Sequence, residues 1–411
     1  MSDLKNLSHD ERMMILVMTL NTLASTLASA FINVYLYTYT ASMASMALFT
    51  AIRISLFPFF FTIGGHMTAK RRSFDTCLAL GFLLFMVQLA SVLLLRDAFA
   101  TYPLLVYLIA VITGVGEGFK WLALNSLTQI VSPPLHRGSY VALQGIFGNV
   151  ANVAAPAVST LLITMAPSDT IGYLRIFGTT LAVYVVLIGL AFVWHVPCSP
   201  QPFAVVSHLH VTTRDHQWRY VLVTTFLYGM RDSLDLMLTG LLLYNAVGQS
   251  GGAYSRLLVA FAVAAVVAHR LSSRLMRRGN RMFFYLGSGV LMTSATVVLV
   301  LCPNIFGVIY YGLTNAIAGA FFSNAYAIII ANALNDYTPS ENIIGRVIAK
   351  ETSQSVGRVL GMLLVYAMFM LWPSSYLVPA VIILSSASTV LGLYAFSYHR
   401  ARDRVRLRAA R

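Results

Sequence analysis

Charged residues are scarce in this 411-residue chain: Asp, Glu, Lys and Arg together make up 10% of it. A soluble domain carries about 25%. So few charges cannot solvate a globular surface of this size, which excludes an ordinary soluble enzyme and a disordered chain. Cysteine is nearly missing as well. Cys77, Cys198 and Cys302 stand far apart and are odd in number, so they form neither a disulfide framework nor a metal-ligand pattern. The sequence has no His-Glu-x-x-His and no Gly-x-x-x-x-Gly-Lys-Ser/Thr, the signatures of zinc hydrolases and of P-loop nucleotide binding. Residues Met1–Arg12 are polar and lack the early apolar core and small-residue cleavage site of a signal peptide. The first apolar segment is therefore expected to direct insertion itself.

Apolar residues are what the chain has in excess: 58% is hydrophobic, with a mean hydropathy of +0.75. A membrane-spanning helix needs about 20 consecutive apolar residues. Runs of that length cover 13–38, 43–66, 75–95, 103–131, 139–165, 171–195, 218–246, 253–276, 282–301, 305–334, 344–371 and 376–398. Backbone groups in lipid must be satisfied internally, so these twelve segments are read as helices. They lack the two-residue alternation of a membrane β-barrel. The expected fold class is all-α integral membrane, with twelve transmembrane helices.

The formal charge of +14 in a soluble protein would point to nucleic acid. In a membrane chain it is a topology signal, and no nucleic-acid partner is expected. With the N-terminus inside, nineteen of the 28 Lys and Arg residues fall on the cytoplasmic side, including the tail from Arg400 to Arg411. Only Arg96, Arg175 and Arg256 fall outside. This bias places both termini in the cytoplasm, with anionic lipid against the basic face. The longest connection, Val196–Gln217, is also cytoplasmic and carries Pro197, Pro200, Pro202, His208, His210 and His216. Its histidines lack Cys or carboxylate companions, so it reads as a solvated linker between an N-terminal half (1–195) and a C-terminal half (218–411). No metal or other cofactor is expected.

The halves echo each other. Asn125, Leu127, Gly138 and Gln144 are answered 207 positions later by Asn332, Leu334, Gly345 and Glu351. The helix breaks Ser132-Pro133 and Thr338-Pro339 fall at matching places. This pattern points to two pseudo-symmetric six-helix bundles derived from a duplication.

Two six-helix halves around a central cytoplasmic loop resemble the major facilitator superfamily of transporters, over nearly the whole chain. That family often carries Gly-x-x-x-Asp-Arg/Lys-x-Gly-Arg/Lys-Arg/Lys between its second and third helices. Here the stretch is Gly64-Gly65-His66-Met67-Thr68-Ala69-Lys70-Arg71-Arg72. The resemblance implies a cytoplasmic gating loop at Gly65, Lys70, Arg71 and Arg72. Ala69 replaces the acid that latches neighbouring helices in the family. The second-half counterpart, Arg274-Leu275-Met276-Arg277-Arg278-Gly279-Asn280-Arg281, lacks the acid too. Gly145, Gly148 and Ala154-Ala155-Pro156-Ala157 on the fifth segment resemble the small-residue stretch of family exporters.

Charges within apolar segments are costly in a membrane and are functional candidates by default. The acids are Glu117, Asp232, Asp235 and Glu351; the bases nearest mid-depth are Arg53, Lys120, Arg231 and Arg358. Glu117 and Lys120 are three residues apart and share a helix face, as do Arg231 and Asp235, four apart. Asp232 points about 100° away from Arg231, so it is expected to lack a partner on its own helix and to carry a proton. Glu117 and Glu351 are the further candidates for proton coupling. Arg53, Lys120, Arg231, Asp235, Arg358, Asn125, Asn149 and Asn324 are expected to line a substrate cavity. Four acids against four bases imply a cavity near neutrality.

Without a nucleotide motif, energy would come from an ion gradient, most simply protons. The expected function is secondary active transport of a small molecule by alternating access, with proton-coupled efflux of an amphipathic compound as the first reading. Proton-coupled uptake of a polar solute is the alternative, followed by a transporter-like receptor. A membrane enzyme would need a His or acid cluster at an interface, and the sequence offers none. A monomer is expected.

Overall fold

Ser8 starts the first helix in a reciprocal cap. Its hydroxyl accepts a hydrogen bond from the Glu11 backbone N–H at 3.2 Å, and the Glu11 carboxylate accepts one from the Ser8 N–H at 2.8 Å. Two of the N–H groups that a helix start leaves orphaned are thereby satisfied. Ser8→Ala is expected to cost about 1 kcal/mol, measurable as earlier unfolding of purified protein in detergent.

The computed structural model describes residues 7–71, 73–96, 98–131, 137–195, 216–233, 239–276, 279–302, 304–335, 343–371, 386 and 389–394. These residues form thirteen helices: α1 (His9–Thr40), α2 (Met43–Arg71), α3 (Asp75–Leu94), α4 (Ala98–Thr101), α5 (Leu105–Val131), α6 (Arg137–Thr164), α7 (Asp169–Val193), α8 (His216–Ser233), α9 (Thr239–Ala246), α10 (Gly251–Leu275), α11 (Arg281–Leu301), α12 (Ile305–Asn335) and α13 (Ile343–Leu371). Ten of them are long and apolar enough to cross a membrane: α1, α2, α3, α5, α6, α7, α10, α11, α12 and α13. The protein is a multi-pass, all-α membrane protein.

The other two expected spans are described only in part. Segment 218–246 appears as α8 and α9, with 234–238 outside the described residues, and only 386 and 389–394 of segment 376–398 are described. Residues 196–215 of the central linker and the basic tail also lie outside them. The gating loop is corrected locally. Gly65, Lys70 and Arg71 belong to the last turns of α2, which runs five residues past the apolar segment, and Arg72 lies outside the described residues. Helix continues there because the stretch contains no proline and its exposed basic side chains favour a helix C-terminus.

The chain divides into two units. The first holds the described residues within 1–207, 249–259 and 341–348; the second holds those within 208–248, 260–340 and 349–411. In the first unit α5 is packed between α2 and α3, α1 lies against α6, and α7 lies against α1, α3 and α6. Glycines on two faces of α5 make this possible. A Cβ at Gly114 would overlap the Arg53 carbonyl oxygen on α2, and one at Gly118 would lie 2.7 Å from Phe60 Cβ. On the other face, a Cβ at Gly116 would lie 3.0 Å from Leu84 on α3, while Gly81 of α3 presses on the Lys120 backbone. Helices in lipid gain little from the hydrophobic effect, so such close approach is what holds them together.

In the second unit α11 packs along α12, and α8 meets α12 and α13. The core gathers Trp218, Tyr220, Tyr285, Met292, Phe322, Tyr326 and Ile329. The crossing of α8 and α13 is made by three glycines. A Cβ at Gly229 would overlap the Gln354 carbonyl oxygen, one at Gly357 the Phe226 carbonyl oxygen, and one at Gly361 the Ser233 hydroxyl. The Ser353 hydroxyl adds a hydrogen bond to the Leu222 carbonyl at 2.8 Å.

Candidate functional site

Each unit sets one acid against one arginine by the same local device. On α5, Gly114 brings the backbone of α2 into contact at Arg53, and Glu117, one turn later, accepts a hydrogen bond from Arg53 Nε at 3.0 Å. On α8, Gly229 brings α13 into contact at Gln354, and Asp232, one turn later, meets Arg358. Both Nε and Nη2 of Arg358 reach Asp232 Oδ2, at 2.7 and 2.6 Å. Glycine three residues before the acid puts the close approach and the carboxylate on one helix face.

These contacts correct one expectation and decide another. Asp232 is not left without a partner. Its arginine comes from α13, which a count of residues along one helix cannot reveal. Arg231 lies over the Phe322 ring, 5.9 Å from its centroid; its expected partner Asp235 is outside the described residues. Glu117, which shares a helix face with Lys120, takes its partner from across the helices, Arg53. Lys120 is 1% exposed; its ammonium sits 3.9 Å from the centroid of Phe85 and 5.1 Å from that of Trp121. Glu351 is paired with its neighbour Lys350 at 2.8 Å.

The polar residues separate by unit. Asn125 and Asn149 are half-buried on α5 and α6. A Cβ added at Gly145 or Gly148, beside Asn149, would meet nothing within 4 Å among the described residues. Asn152, one turn further, accepts a hydrogen bond from Thr26 at 3.2 Å. Asn324 of α12 donates to the Ser272 hydroxyl at 2.5 Å, and its carbonyl lies 3.2 Å from His269 Nδ1. This three-residue network ties His269 and Ser272 of α10 to α12.

The aromatic residues form a further feature that the sequence did not single out. Tyr228 stacks on Tyr326 with centroids 3.9 Å apart, and Tyr285 stacks on Phe322 at 4.7 Å. At the end of α2 and the start of α3, Arg71 donates to Thr76 at 3.0 Å and Asp75 pairs with His195. The neighbouring Trp194 donates to Asp10 at 3.1 Å. Among the described residues no group of three His, Cys, Asp or Glu side chains is placed to hold a metal ion.

Solved structures share this architecture over almost the full chain. A POT family transporter in complex with 5-aminolevulinic acid superposes with a TM-score of 0.72, covering 94% of this chain and 95% of that one at 8% identity. A mutant of the nucleoside transporter NupG gives 0.69, covering 95% and 99% at 12% identity. The chain has the major facilitator fold. The xylose transporter XylE from E. coli carries the same fold, with a TM-score of 0.67 and 12% identity over 95% of this chain and 98% of its own. In sequence, this chain is 23% identical to the Bacillus subtilis (strain 168) protein YqgE, over 84% of its own length and 79% of that protein's. It is 28% identical to a Geobacillus stearothermophilus protein from the sodM 3′ region, spanning 34% of this chain and 64% of that one. No family model matches the sequence.

Proposed function

We propose that this protein is a secondary transporter that moves a small molecule by alternating access, driven by protons. The observation that carries this reading is the pair of intramembrane acid–arginine bridges, Arg53–Glu117 and Asp232–Arg358, in a chain with the major facilitator fold. Ionisable groups at membrane depth are expensive to maintain and mark ion or substrate pathways. A proton arriving at Asp232 would release Arg358, so protonation and the arrangement of α8 and α13 become linked. Asp232 is the first coupling residue in this proposal, with Glu117 and Glu351 as the others. Arg53, Lys120, Arg231, Asp235, Arg358, Asn125, Asn149 and Asn324 serve the substrate.

Export of an amphipathic compound is the first direction, supported by Pro156 and the open glycine face of α6. Uptake of a polar solute is the second. It is favoured by the nucleoside, xylose and 5-aminolevulinic acid named for the proteins of like fold. Both directions place the protein in a bacterial inner membrane as a monomer with both termini and the Val196–Gln217 linker inside. Exposed Lys70, Arg71, Arg270 and Arg274 then face anionic lipid.

Reconstitution into liposomes with an internal pH-sensitive dye tests the reading. Substrate addition is expected to move protons, in a direction that separates export from uptake; substrate flux without proton movement removes the coupling. Asp215→Cys on a cysteine-free background is expected to resist impermeant labelling in intact cells. Labelling there overturns the topology.

A further inference from the structure

We infer that Lys120 anchors the carboxylate of an organic monoanion, which makes the substrate class an acid with a flat, apolar body. The inference rests on the transport reading and deepens it. Within the first unit, three charged residues lie mid-span: Arg53, Glu117 and Lys120. Arg53 and Glu117 are bonded to each other at 3.0 Å. Lys120 has no ion pair and no hydrogen bond among the described residues, although its side chain is nearly fully buried. The group as a whole carries one uncompensated positive charge.

Cation–π contact with Phe85 and Trp121 offsets part of the desolvation of an ammonium. It supplies no hydrogen-bond acceptor for the three N–H donors. A second orphan donor lies on the same aromatic group. Tyr184 of α7 stacks on Phe85, with centroids 5.4 Å apart, and its hydroxyl is buried without a hydrogen-bond partner. An ammonium and a phenol that both lack acceptors select an acceptor-rich ligand. A carboxylate offers two oxygens and a full negative charge. The rings of Phe85, Trp121 and Tyr184 select an apolar, planar remainder.

The test uses acid–amide pairs, which differ in charge but hardly in shape. Purified protein in detergent is heated with benzoate, 4-hydroxybenzoate, nicotinate or indole-3-acetate, each beside its amide, and with sodium chloride. At least one acid is expected to raise the unfolding temperature where its amide does not. Lys120→Gln is expected to weaken that binding about thirtyfold or more, the effect of truncating one partner of a buried charge pair. Tyr184→Phe should weaken it without lowering the stability of the unliganded protein, since it deletes a hydroxyl that has no partner. It keeps the test decisive if Lys120→Gln does not fold. Acids that never differ from their amides, an equal shift from chloride alone, or acid binding unchanged in both variants would each overturn the inference. Uptake of the binding acid into liposomes is then measured separately. An acid that binds through Lys120 but is never transported overturns the transport reading and leaves the anion site standing.

Discussion

Asp232→Asn alone is expected to destabilise the protein by about 3 kcal/mol, because it leaves the partly buried Arg358 guanidinium without its carboxylate. Asp232→Asn combined with Arg358→Gln should recover most of that loss. Removing both charges abolishes the pair and the unmet desolvation together. The comparison is made by unfolding the four proteins of this cycle in mixed micelles of rising SDS content. If the double variant is as unstable as the single one, the pair does not hold α8 to α13. The same variants separate structure from coupling. The double variant, once folded, is expected to exchange substrate across liposomes but not to accumulate it when a pH gradient is imposed. Full gradient-driven accumulation by the double variant would remove Asp232 as the proton carrier and leave Glu117 and Glu351 to be tested.

Gly357→Leu is expected to give little or no folded protein. A side chain there has no room, because its first atom already overlaps the Phe226 carbonyl oxygen and lies 3.0 Å from the Met230 backbone nitrogen. Those neighbours are backbone and cannot rotate away. The two helices must separate, and with them Asp232 and Arg358. Overpacking a core costs about 1–3 kcal/mol when side chains can adjust; a backbone clash at a helix crossing should exceed that. Gly319→Ala and Gly287→Ala on α12 and α11 are the matched controls. Their added methyls meet only Met292 at 3.9 Å and nothing within 4 Å, respectively, and alanine is the better helix former by about 0.5–1 kcal/mol. Monodisperse yield on size exclusion should collapse for Gly357→Leu and hold for both controls. Equal yields would mean that the close crossing of α8 and α13 is not needed.

Sequence reading reached the fold because lipid imposes simple rules. Length, apolarity and the placement of Arg and Lys pick out spans without knowledge of any tertiary contact. It also found the intramembrane charges, since a Glu or Arg within an apolar run is visible on inspection. It did not reach the pairings made across helices. Spacing along one helix put Glu117 near Lys120 and left Asp232 without a partner, whereas the structure joins Glu117 to Arg53 and Asp232 to Arg358 across helices; the expected Arg231–Asp235 pair involves a residue outside the described ones. A usable signal was present in Gly114-x-x-Glu117 and Gly229-x-x-Asp232. A glycine one turn before a buried acid marks the face on which another helix comes close, and the partner must lie on that helix. The His269–Asn324–Ser272 network and the tyrosine stacks had no such signal, because they depend on which of many polar and aromatic residues happen to face each other.

The placement of Trp121 has a practical consequence. Of the protein's four tryptophans, Trp194 is bonded to Asp10 and Trp218 is buried among tyrosines and aliphatic side chains. Trp121 alone among the described tryptophans has a lysine ammonium within cation–π reach. The emission colour of an indole responds to the electric field across its ring, and a bare positive charge 5.1 Å from the ring centre is a strong source of field. Any event that neutralises that charge, whether loss of a proton or arrival of a counter-ion, must therefore change the light this tryptophan emits. The chain carries its own optical gauge at Lys120, readable without a dye, a label or knowledge of what is being carried.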